Sequence, residues 1–378
     1  MPGALGLGII SYFGSMRLIV KGCVLFCLLA SSLQAQIRTP KYSNEFLAIG
    51  VGGRGLGMAG TQTAVTSDVT AGYWNPAGLA SLENPYEASL MHAEYFAGIA
   101  NFDYGSFATR IDSMSSLGVS VIRFAVDDIP DTRFLYDANG RINYDRIRFF
   151  SAADYAFLFS YARRLRGIPR LQLGASFKVV HRTVGNFANA WGFGLDAGLQ
   201  YRLPTWFFGL MLHDITGTFN AWSHNSELVI DIYTQTGNQI PNNTIELTLP
   251  RATLGIGKSQ RLWNNRLGVL ASLDATFTFD GQRNVLLGSD VTSLDPSFGL
   301  ELDYEQLVFV RAGVGNVQQV KDFDGSTDRT YQPDFGVGVL LGKLQIDYAL
   351  TDIGDQSESL YSHVFSLRFG FGKEKINE

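Results

Sequence analysis

Charge is scarce in this sequence: Asp, Glu, Lys and Arg together make up 17% of 378 residues, and the formal net charge is -5. A nucleic-acid partner, which calls for a basic patch, is therefore excluded. Cysteine is scarcer still. Cys23 and Cys27 both fall in the N-terminal segment, so the rest of the chain has no thiol for a disulfide, a cysteine metal site or thiol catalysis. Long apolar runs are also missing beyond residues 23–30, and the mean hydropathy is only +0.05, which leaves no stretch of about 20 apolar residues to form a membrane helix. What is plentiful is glycine, at 41 residues, and aromatic side chains, at 13%. That balance suits strands that meet lipid on one face and a polar lumen on the other.

The N-terminus reads as a targeting segment. Arg17 and Lys21 precede the apolar run 23–30, and Ser31-Ser32-Leu33-Gln34-Ala35 supplies small residues for cleavage after Ala35. Residues 1–15 precede a complete signal and are read as a misassigned start. A lipoprotein is excluded, because Cys27 follows bulky Phe26 and Cys23 follows Lys21-Gly22 without an apolar run. The expected organisation is a signal peptide over 1–35, a periplasmic hatch over 36–85, a barrel over 86–373 and a tail over 374–378.

From Tyr86 onward the chain alternates with period two. Phe193, Leu195, Ala197, Leu199 and Tyr201 interleave with Gly194, Asp196, Gly198 and Gln200. Leu273, Ala275 and Phe277 interleave with Asp274, Thr276 and Thr278, and the segments at Leu344 and Phe365 follow the same rule. Only 117–126 is apolar at both parities. Strands are expected to start at Tyr86, Ile99, Ser116, Ser151, Arg170, Asn189, Phe207, Leu249, Arg266, Ser297, Leu307, Gln332, Leu344 and Tyr361. This predicts an all-β transmembrane antiparallel barrel of about 14 strands, with segments near the roughly 9 to 11 residues that a tilted strand needs. Connection lengths keep a parity. Those at 164–169, 204–205, 305–306 and 342–343 are short, as periplasmic turns should be, whereas 127–150, 217–246, 280–296 and 315–331 read as long outer loops. Trp191, Trp206, Trp222 and Trp263 lie near strand ends, where an interfacial belt would hold them.

The hatch region is rich in glycine and alanine and contains Tyr73-Trp74-Asn75-Pro76-Ala77-Gly78-Leu79. Asn75 can cap free amides and Pro76 suits the first helical position, since it has no N–H to leave unpaired. With Gly53-Arg54-Gly55-Leu56-Gly57-Met58-Ala59-Gly60 and Ser67-Asp68, this motif of Trp74, Asn75, Pro76, Ala77 and Gly78 resembles the N-terminal signature of the PorV/PorQ family of outer-membrane proteins, related to FadL-type fatty-acid channels. The resemblance implies a fourteen-strand barrel with an N-terminal hatch and a part in type IX protein secretion, with the translocon or exported cargo bearing a C-terminal sorting domain as partner. The alternative is a FadL-like channel for long-chain fatty acids or other hydrophobic small molecules. Either reading places the chain in the bacterial outer membrane, in contact with its lipid.

No enzymatic chemistry emerges. Gly50-Val51-Gly52-Gly53-Arg54-Gly55 matches a dinucleotide-binding spacing, with Asp68 downstream, but no βαβ series follows it. His92, His181, His213, His224 and His363 lack zinc spacing, and nothing assembles a nucleophile with a base. No cofactor is expected. Asp322, Asp324 and Asp328 surround a glycine turn that loosely resembles a calcium loop without its closing glutamate. By alternation Asp196, Asp274, Glu301, Asp303, Arg311, Asp347 and Arg368 face the lumen, where they either pair with one another or form a charged filter.

Overall fold

The computed structural model describes residues 42–137, 139–230, 233–234, 237, 239–321, 326–351 and 362–372. The signal-peptide reading, the C-terminal tail, Asp322 and Asp324 lie outside these residues. The described chain is all-β. Its strand segments are β1 (Tyr86–Tyr95), β2 (Ala100–Arg110), β3 (Ser115–Asp131), β4 (Arg148–Leu165), β5 (Ile168–Val184), β6 (Ala188–Arg202), β7 (Trp206–His213), β8 (Thr218–His224), β9 (Thr244–Thr248), β10 (Arg251–Leu262), β11 (Leu267–Thr278), β12 (Leu287–Gly288), β13 (Ser293–Tyr304), β14 (Val308–Lys321), β15 (Thr327–Leu341), β16 (Leu344–Thr351) and β17 (Ser362–Phe371).

These segments close into a single antiparallel barrel of 14 strands. β1 pairs with both β2 and β17, so no edge is left unpaired at the seam. The strand count falls below the segment count because two strands are interrupted and β12 is a two-residue segment beside β13. β6 pairs with β7 at one end and with β8 at the other, β7 pairs with β10 and β8 with β9, and β12 pairs with Leu294 and Ser293 on the edge of β13 opposite β11. The interruption between β7 and β8 is a turn with Asp214 at φ 55° and Gly217 at φ 69°, left-handed conformations that glycine adopts without strain.

Period-two alternation sets which side chains line the lumen. In β6, Asp196, Gly198 and Gln200 are buried, while Phe193 and Leu195 are exposed; in β16, Gln345, Asp347 and Ala349 are buried beneath outward Leu344, Ile346 and Tyr348. The segment 117–126 behaves differently. Leu117, Val119 and Val121 face out, whereas Ile122 and Phe124 turn inward onto a packed lumen core that contains Phe46, Leu47, Val51, Leu56, Tyr73, Met91, Tyr95, Phe102 and Tyr104. A uniformly polar lumen, expected from the other strands, is therefore corrected on the β1–β5 side. The apolar inward face exists there because the hatch packs against it and excludes water.

The long loops are also corrected. Strand structure occupies part of each polar stretch read as loop: β3 runs to Asp131 and β4 starts at Arg148, β8 lies within 217–246 and β9 begins in it, β12 lies within 280–296, and β14 and β15 reach Lys321 and Thr327. Polar residues can still alternate, and each added pair satisfies backbone groups that a free loop would leave to water. The longer connections keep to one barrel end, although that end also carries the tight ones at 96–99 and 185–187.

Candidate functional site

Residues 42–85 have no strand period of their own and fold into short helical turns inside the barrel, at Glu45–Leu47, Gly53–Leu56, Ala71–Trp74 and Pro76–Ser81. Turns this short leave many backbone groups to be satisfied from outside. Side chains do this. The Asn75 side chain accepts from Ala77 N at 3.2 Å at the start of the Pro76–Ser81 turn, and its Nδ2 donates to Thr63 O at 2.8 Å and to Leu199 O on β6 at 3.2 Å. Gln200 Nε2 donates to Thr63 O and Thr66 O, each at 3.1 Å, and Thr63 N donates to Asp274 Oδ2 at 3.0 Å. Tyr73 Oη accepts from Gly50 N at 2.9 Å and donates to Leu47 O at 2.8 Å.

Close approach between hatch and wall depends on missing side chains. A Cβ on Gly198 would stand 1.9 Å from Asn75 Oδ1, and one on Gly174 2.2 Å from Ala77 N, distances that real atoms do not reach. The glycines at 50 and 55 serve the Trp74 ring instead. A Cβ would come within 2.9 Å of it at Gly50 and 2.8 Å at Gly55, while Trp74 Nε1 donates to Val51 O at 3.1 Å. The spacing that imitates a dinucleotide fingerprint is the seat of an indole.

Charges fix the other flank. Arg54 of the hatch meets Glu301 at 2.9 Å, Glu301 also holds Arg311 at 2.6 Å, and Arg311 reaches Asp347 at 2.7 Å, to which Gln345 donates at 2.9 Å. Asp68 pairs with Arg368 at 3.3 Å and accepts from Thr70 N at 2.9 Å. Burial pushes the Asp68 carboxyl up, but the guanidiniums of Arg368 and Arg54 and the Thr70 hydrogen bonds outweigh it and hold the group below its ordinary value. Asp196 is bound to Lys178 at 2.9 Å, and Lys178 reaches Asp214 at 2.6 Å. Asp303 lies at the short-turn end with Arg261 at 3.2 Å. Thus Glu301, Arg311 and Asp347 form one cluster, Arg368 and Asp303 sit in separate pairs, Asp196 shares Lys178 with Asp214, and Asp274 accepts from Thr63 of the hatch. Asp328 lies on β15, and no group of metal-binding side chains is found among the described residues.

On the side opposite the aromatic core, toward the long-loop end, a cavity of about 780 Å³ remains. Its hatch side presents Leu47, Ile49, Leu56, Ala59, Tyr73 and Trp74. The wall side presents Thr253, Asp274, Thr276, Thr278, Asp295 and Asp334. Sequence reasoning singled out Trp74 but missed Lys178, Arg251, Asp295 and Phe46, and it gave Arg54 no partner. Asp295 was assigned to a loop because β13 starts at Ser293 rather than Ser297, and with the strand start corrected it shares the inward parity of Glu301. The apolar inward face of 117–126 was the available signal for the packed core.

No family model and no curated protein matches the sequence. Solved structures do match in fold. The Ralstonia pickettii toluene transporter TbuX superposes with a TM-score of 0.52 at 17% identity, over 85% of this chain and 99% of that one. The CymD monoaromatic hydrocarbon channel gives 0.53 at 15% identity over 86% and 98%, and a Pseudomonas aeruginosa FadL homologue gives 0.50 at 14% over 85% and 98%. At these identities the likeness is one of fold, a FadL-type barrel.

Proposed function

We propose that this chain is a channel for small hydrophobic molecules in the bacterial outer membrane, with residues 42–85 as its gate. The observation that carries this reading is the cavity of about 780 Å³ against the apolar hatch surface, a size typical of small-molecule sites, inside a barrel that the hatch otherwise fills. The toluene and monoaromatic-hydrocarbon titles of the neighbours supply the ligand class. The apolar outward residues, such as Leu273, Val310 and Leu367, are then the lipid-facing belt. The role is transport rather than catalysis.

Entry of toluene into intact cells tests the reading. Deleting the gene is expected to slow it, and the double substitution Asn75→Ala, Pro76→Ala is expected to change it in a strain whose barrel still assembles. Unchanged entry in both strains would defeat the proposal.

A second reading rests on the motif from Gly53 to Leu79, whose PorV/PorQ resemblance implies a partner in type IX secretion. It rests on those residues alone. It expects the deletion strain to accumulate, in the periplasm, exported proteins bearing C-terminal sorting domains, with toluene entry unaltered.

A further inference from the structure

The connection from β4 to β5 carries four arginines, Arg163, Arg164, Arg166 and Arg170, inside eight residues. Arg163, Arg166 and Arg170 are exposed, and none of the three makes an ion pair among the described residues. Acids at that end of the barrel are engaged by other groups. Asp112 lies near Arg163, but its Oδ1 accepts from Met114 N at 2.7 Å and Ser115 N at 2.8 Å, and Glu83 lies by Arg202. Elsewhere on the short-turn end the arginines are answered: Arg261 pairs with Asp303 at 3.2 Å and Arg266 with Glu305 at 3.5 Å. The β4–β5 turn is therefore a concentration of positive charge that the fold leaves open. Apolar surface adjoins it. Arg163 is opposite Ser115 of β3 and Leu173 of β5, and the next outward residues toward the barrel middle are Tyr161 on β4 and Leu117 on β3; Tyr161, Leu173 and Leu117 are all exposed. At the turn itself Ile168 is 48% exposed between Arg166 and Arg170. Arginines at the margin of a lipid-facing surface lay their methylene stems on it and hold the guanidinium at head-group level, and an exposed isoleucine among them gains by leaving water.

We propose that the β4–β5 turn is a binding site for anionic glycerophospholipid in the leaflet at the short-turn end: Arg163, Arg166 and Arg170 receive the phosphodiester, and the acyl chains lie on Tyr161, Leu173 and Ile168. The site requires that the barrel sit in a bilayer and is independent of whether its lumen conducts. Guanidinium forks match phosphate oxygens bidentately, and three of them leave a positive balance that a zwitterionic head group, which brings its own cation, does not neutralise. Lipid is favoured over an acidic polypeptide because the charge borders an apolar outward face and has an exposed isoleucine in its midst.

Quenching of a fluorophore at the turn tests the site. Gly167 takes a cysteine without a clash, since a Cβ there meets nothing within 4 Å, and Cys23→Ser with Cys27→Ser leaves it the only thiol. Gly167→Cys carrying bimane is placed in phosphatidylcholine vesicles that contain a small fixed share of spin-labelled phosphatidylglycerol or of spin-labelled phosphatidylcholine. The phosphatidylglycerol label is expected to associate about fivefold or more tighter than the phosphatidylcholine label, the factor that one surface arginine supplies toward anionic lipid. In about 1 M salt, where the screening length falls to roughly 3 Å, that preference should shrink toward unity. Arg163→Gln with Arg166→Gln and Arg170→Gln should remove it as well. Because the salt arm reads the preference with all three arginines in place, the result does not depend on the triple variant folding. A probe on Lys343→Cys, at the β15–β16 turn of the same barrel end, should show no preference. Equal quenching by the two lipids at Gly167 overturns the site and leaves an acidic polypeptide as the occupant the patch would fit. A preference that persists in the triple variant, or that appears equally at Lys343, overturns it too. None of these outcomes bears on the channel reading, which toluene entry decides.

Discussion

At Gly198 any side chain would occupy the space of Asn75 Oδ1, only 1.9 Å from where a Cβ would stand. The position lies within β6, where the barrel ladder holds the wall in place and the hatch must yield. Gly198→Ala should therefore dislodge the Asn75 turn without unfolding the barrel. Planar-bilayer conductance is expected to rise in this variant and to stay at the natural level in Gly167→Ala, whose Cβ would meet nothing within 4 Å. The same conductance in both would show that the hatch is not seated by that contact. The Glu301 carboxylate acts in the opposite way, by attraction, since it is shared between Arg54 of the hatch and Arg311 of the wall. Removing one member of such a buried cluster strands the others without compensation, at a typical cost of about 3 to 5 kcal/mol.

Among the elements, strands with a hatch residue behind them differ from strands that border the cavity. Gln200 is fully buried and donates to two hatch carbonyls, so its parity alone does not make it replaceable. Thr276 is on the inward face of β11 beside the cavity, where a long cation finds room and the carboxylate of Asp295 opposite. Leu273 is on the outward face, 45% exposed to what surrounds the barrel. With lipid there, Leu273→Arg should cost roughly 2 to 4 kcal/mol near the midplane, and Thr276→Arg much less. The urea midpoint for unfolding from lipid vesicles measures both, and equal shifts would mean that β11 has the opposite register.

At the scale of the whole molecule, connection length marks the two barrel ends, and the cavity lies toward the long-loop end. If that end faces the cell exterior, a cysteine at Asn139 should react with an impermeant maleimide on intact cells and one at Lys343 should react only after lysis. Labelling in the reverse order would turn the barrel over. The sequence by itself determined the barrel, its strand number and, within the segments it marked as strands, the alternation of inward and outward side chains, because alternation is written residue by residue and a closed sheet must obey it. It also marked Asn75 and Pro76 as a helix start, since capping is a local property. It did not reveal that Gly50 and Gly55 seat Trp74, that Arg54 joins Glu301, or that one half of the lumen is packed while the other holds a carboxylate-walled cavity. Those relations join residues tens to hundreds of positions apart, and only closure of the barrel around the hatch brings them within contact distance.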